Sequence, residues 1–133
     1  MKIAPFLLLL AIPLPAFAEE PPDYIAFVQQ AERFAVAANS GGSCQRLGYT
    51  TDQSGLTLKI QKMIDNAELA GMSGGSADML LSGAIDAEGK RQDARMRAVD
   101  KTNSAAVEQF LDYWERRCAM LSNDPDYAPY FHR

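Results

Sequence analysis

Two cysteines, one histidine and a serine in a glycine-rich turn are the residues of this chain best equipped for chemistry. Cys44 sits in "SGGSCQRLGYTT" and Cys118 in "WERRCAML". A thiol can act as nucleophile, metal ligand or half of a disulfide. A nucleophilic cysteine wants a histidine base, and the sole candidate, His132, stands in the final "YFHR". Zinc wants four closely spaced ligands, and a redox centre wants C-x-x-C; neither pattern is present. The expectation is therefore a Cys44–Cys118 disulfide. On the chain-entropy model, closing a loop this long stabilises a fold by roughly 4–5 kcal/mol.

The other chemical candidates are weaker. "GMSGG" places Ser73 in a G-x-S-x-G frame. A nucleophile elbow needs a strand before the serine and a histidine partner. Here the segment joins two helical patterns, so Ser73 is expected to cap a helix. Met63, Met72, Met79, Met96 and Met120 form no M-x-x-M cluster and read as packing residues rather than a soft-metal site. Asp86 and Glu88, two apart on a helix, face different ways and make no carboxylate dyad. No c-type haem motif occurs. The expectation is a protein that is not an enzyme and holds no metal or cofactor.

Compartment follows from the first residues. "MKIAPFLLLLAIPLPAFAEEPP" has one early lysine, an apolar run to Leu14 and Ala16-Phe17-Ala18 before the first acid. This is the pattern of a secretory signal peptide, residues 1–18, cleaved after Ala18. The apolar run is short of the about 20 residues a membrane span needs. No cysteine follows the cut, which excludes a lipoprotein, and N-x-S/T sites are absent, which leans toward a bacterial periplasm over a eukaryotic route. Cleavage removes Lys2 and no acid, so the formal charge becomes more negative than −4. An acidic chain is a poor nucleic-acid ligand. No later segment is apolar enough for stable insertion after cleavage. Export also places the two cysteines where pairing is normal.

The elements that must position these residues are helices. Residues 19–133 suit one domain. Phe27, Val28, Ala31, Phe34, Ala35 and Ala38 make one helical face, with Asp23 as its cap. "NSGG" ends it. Cys44 then lies in one helical turn or a tight loop that lays Leu47 and Tyr49 on the core. Thr50 and Gln53 have capping-box spacing, opening a second long helix that carries Leu56, Ile60, Met63, Ile64, Ala67 and Ala70 to Gly71. Ser73 or Ser76 caps a third, with Ala77, Leu80, Leu81, Ala84 and Ile85. Beyond Ile85 its apolar stripe thins, and Gly89 is a point where it could bend or split. Val107, Phe110, Leu111, Trp114, Cys118 and Leu121 mark the last helix, stopped by Pro125. No segment alternates as a strand. The predicted fold is all-α, a small bundle of about four helices stapled by one disulfide.

Two stretches remain as candidate interfaces. "EGKRQDARMRAVDK" carries Arg91, Arg95 and Arg97 on a helix that otherwise reads as a solvated face. "YAPYFHR" carries Tyr127, Tyr130 and Phe131, which either fold back over the core or form an exposed aromatic patch. The expected function is an exported, non-enzymatic module that docks another envelope or secreted protein. Immunity proteins, chaperones and accessory subunits are of this general class. The alternative is a small-molecule or lipid carrier with an apolar pocket in the bundle.

Overall fold

The computed structural model describes residues 22–133, and the leader expected at residues 1–18 lies outside them. The elements run α1 (Pro22–Ala38), α2 (Gly41–Arg46), β1 (Thr50–Thr51), α3 (Gln53–Leu69), α4 (Gly74–Arg97), α5 (Ser104–Asn123), a 3-10 turn (Ala128–Tyr130) and β2 (Phe131–His132). Four longer helices and one disulfide make a small all-α bundle, as expected. No described helix is long and apolar enough to cross a membrane.

α1 packs most extensively along α4, and α3 packs against both. Small residues make the first contact close: Ala31 and Ala35 on α1 and Ala77 on α4 are all buried. Around them Phe27, Phe34, Leu56, Met63, Leu81 and Leu121 complete the apolar core. At the end of α1, Asn39 Nδ2 donates to Ala35 O at 2.8 Å and to Ile85 O at 3.0 Å. These bonds tie the helix terminus to the middle of α4, which runs unbroken through Gly89.

Local signals account for the remaining boundaries, with three departures from expectation. α1 begins at Pro22, one residue before the expected Asp23 cap. Cys44 lies on a short helix, α2, which closes on Gly48 at φ +90°; Gly71 takes φ +95° after α3. Both are left-handed conformations that glycine adopts cheaply. The cap of α3 is Asp52, whose side chain accepts from Gly55 N, not Thr50. Thr50 and Thr51 instead form a strand, antiparallel to β2, pairing Thr50 with His132 and Thr51 with Phe131. Ser73 caps α4 by accepting from Ser76 N, and Asn103 caps α5. The serine in the G-x-S-x-G frame is thus a cap.

Cys44 and Cys118 are both fully buried and bonded, with Cα atoms 5.6 Å apart, joining α2 to α5. A Cys44→Ala/Cys118→Ala variant is expected to lose about 4 kcal/mol of stability. Urea unfolding of the oxidised protein and the variant measures this directly. A loss below about 1 kcal/mol would mean that the α2–α5 contact holds without the bond.

Candidate functional site

The apolar stripe of α4 turns polar at its midpoint. Ala77 and Leu81 are buried, and the same helical face continues through Glu88 and Gln92, which are also buried. Glu88, 7 % exposed, meets Arg117 of α5 in an ion pair. Arg91 joins it from the solvent side at 2.8 Å, and Gln92 Nε2 donates at 3.3 Å. Burial raises the pKa of the Glu88 carboxyl, but hydrogen bonds from Arg91, Arg117 and Gln92 outweigh it, and the net shift is downward. The Arg117 guanidinium also lies over Tyr113 and Trp114, each 5.5 Å from the ring centre. Arg95 covers Tyr113 at 4.1 Å. Arg117 Nε and Trp114 Nε1 stay buried without a partner among the described residues.

Beside this network lies an apolar cleft of about 150 Å³ lined by Leu47, Met96, Phe110, Leu111 and Trp114, with Ser43 and Arg46 at its edge. Met96 is 43 % and Leu111 48 % exposed. Leu111 has the spacing of the apolar stripe of α5, and Met96 reads in the sequence as a packing residue. They sit beyond the level of Ile85, where the end of α1 is tied to α4, and only the short α2 borders them there. Three arginines, Arg46, Arg95 and Arg97, belong to the cleft lining and to the last turn of α4. None forms an ion pair among the described residues.

The expected site residues separate into two groups. Arg91, Arg95 and Arg97 are all exposed on α4. Arg91 is held by Glu88, Arg95 lies over Tyr113, and Arg97 makes only a 3.4 Å bond to Asp93 O. Lys90 pairs with Asp86 at 2.9 Å, on the face away from Glu88. The aromatic tail is packed. Phe131 is 0 % and Tyr127 4 % exposed, and Tyr130 is half-buried. Their cover is fastened by Arg33, which pairs with Asp124 at 2.7 Å and Asp126 at 3.1 Å, and by Arg133, which pairs with Glu115 at 2.7 Å and lies over Tyr49. Tyr127 and Phe131 therefore face the core, and His132 is exposed beside them.

Sequence reasoning had missed Glu88 and Arg117. Their signal was positional: Glu88 is seven residues after Leu81, and Arg117 directly precedes Cys118. No group of three or more metal-binding side chains occurs among the described residues. The chain matches no protein-family model, no curated protein and no solved structure.

Glu88→Ala leaves Arg117 buried without a counter-ion and is expected to cost about 3–5 kcal/mol. Replacing both with methionine should cost much less, since Arg117 already carries an unpaired donor. A double-mutant cycle by urea unfolding checks this, and additive losses would refute the coupling. The depressed pKa adds a sign. The stability it confers is present above the unfolded glutamate value of about 4.3. It disappears as acid takes the pH through the lower folded value. The gap in stability between the protein and Glu88→Gln should thus narrow below about pH 4.

Proposed function

We propose that the protein is an exported, non-enzymatic interaction module that docks a partner protein on the α4–α5 face. One observation carries the reading. Met96, Leu111, Phe110 and Leu47 line an apolar cleft with Arg46 at its edge, and Arg95 and Arg97 in the last turn of α4 likewise lack a carboxylate partner among the described residues. Aromatic and methionine residues with arginine at their rim are the composition of interface cores.

The charge selects the partner's chemistry: an amphipathic acidic segment, its apolar side chains in the cleft and its carboxylates on Arg46, Arg95 and Arg97. Rim charges of this kind mainly speed encounter and exclude wrong partners, while the buried apolar contact sets the lifetime. The buried Glu88–Arg117 pair would hold the two helices at the spacing the cleft requires. Export is supported by the leader pattern of residues 1–18, and the buried disulfide is compatible with it. Tyr127 and Phe131 leave this reading, because both are buried and neither lines the α4–α5 cleft.

A photo-crosslinker at Leu111, used in the native envelope, should capture a partner through an acidic, apolar-faced segment. Arg95→Glu/Arg97→Glu should abolish capture while moving the melting temperature by only a few degrees, as expected for surface changes. Capture that survives the charge reversal would sink the reading. So would a crosslink solely to a second copy of the chain.

A further inference from the structure

On the opposite side of the bundle, α1 and α3 run antiparallel with a groove between them. α1 contributes Tyr24, Phe27, Gln30 and Arg33, and α3 contributes Lys59, Lys62, Met63, Asn66, Ala67 and Ala70. The α3 positions share one face of that helix, whereas the α1 positions, three residues apart, wind round theirs from Tyr24 to Arg33. Three neighbouring hollows follow one another along this seam and share lining residues. An apolar stretch of about 200 Å³, bounded by Tyr24, Phe27, Ala70 and Met72, shares Phe27, Ala67 and Ala70 with a middle stretch of about 150 Å³. That stretch in turn shares Gln30, Met63 and Asn66 with a polar mouth of about 360 Å³.

The mouth is built for an anion. Arg33, Lys59 and Lys62 line it, and Asp126 is the one carboxylate in the lining. Asp126 is already taken by Arg33. Lys59 and Lys62 have no carboxylate partner among the described residues. Lys59 Nζ donates to the Asp126 carbonyl oxygen at 3.5 Å and lies 5.2 Å from the Tyr127 ring centre and 5.8 Å from that of Tyr130. Burial pushes the Tyr127 hydroxyl pKa up to about 12, which keeps it a neutral donor. Neither tyrosine hydroxyl is hydrogen-bonded within the described residues.

We propose that this groove binds one medium-chain fatty-acid anion. Its carboxylate would lie between Lys59 and Lys62 beside the tyrosine hydroxyls, and its chain along Met63, Phe27, Ala67 and Ala70. Size and charge both set the class. The rise of α3 puts Ala70 roughly 12 Å beyond Lys62. With C–C bonds of about 1.5 Å, a zigzag chain of about ten carbons covers that distance. The apolar stretches are too narrow for a two-chain lipid, and the two ammonium groups, neither held by a carboxylate among the described residues, favour a single anionic head. This inference concerns a different face from the docking surface and does not depend on it.

Calorimetry and amide-shift mapping with sodium decanoate, below its micellar concentration, test the proposal. Decanoate should bind one per chain and shift the amides of Phe27, Met63, Ala70 and Tyr127. Hexanoate should bind at least tenfold more weakly, and decyltrimethylammonium, with the same chain and the opposite charge, should not bind there. Lys59→Gln/Lys62→Gln and, separately, Ala70→Trp should each weaken decanoate at least tenfold, with an unchanged near-ultraviolet dichroism spectrum showing an intact fold. Lys90→Gln, on the far side of α4, should change nothing. The proposal fails if decanoate does not shift these amides, if the cationic surfactant binds equally well, or if the lysine variant binds as before.

Discussion

The disulfide lies where the helices are least able to hold one another. α1, α3 and α4 pack on each other along their lengths, whereas the main contacts of α5 are with α2 and with its own tail. α2 is six residues long and could not anchor a twenty-residue helix through apolar area alone. The Cys44–Cys118 bond supplies the anchor, and Trp114 and Leu121 bury their side chains on either side of it. With α5 fixed there, Arg117 is brought to Glu88, and the aromatic residues after Pro125 are brought to the far end of the core.

Glu88 and Arg117 illustrate a trade between strength and definition. A buried ion pair seldom stabilises more than a well-packed apolar pair would, and this one leaves Arg117 Nε unsatisfied. Its effect is to set a distance. Beyond it, toward the connection from α4 to α5, Met96 and Leu111 stay at the surface. The groove between α1 and α3 arises from similar geometry: α1 follows α4 so closely that its opposite flank only partly meets α3.

The parts of this architecture that repeat along the chain were legible in the sequence. Phe27, Ala31 and Phe34 announce α1 by their spacing, Val107 to Leu121 announce α5, and the paired cysteines follow from their number and the leader. What does not repeat stayed hidden. A strand of two residues, Thr50–Thr51, has no period to detect, so its threonines resembled a helix cap. Glu88 and Gln92 occupy core positions with polar side chains, and the stripe of α4 looked as if it had ended. Leu111 kept the right spacing yet remains exposed, because spacing says which face a residue takes and not whether another helix arrives to cover it. The groove depends on the angle between two helices, which no local pattern encodes.

Seen as a connected object, the oxidised chain is a closed ring with two arms. The ring runs from Cys44 to Cys118 and contains α3, α4 and most of α5; the arms are α1 and the segment after Cys118. Arg33 clasps the second arm to the first through Asp124 and Asp126. A pull on the two arms would open that clasp, unravel α1 and the tail, and then arrive at the sulfur atoms. From that point the load passes through the covalent bond, and α3 and α4 hang from it untensioned. α3, α4 and the part of α5 that lines the cleft are thus mechanically sheltered by a bond at the ring's closing point.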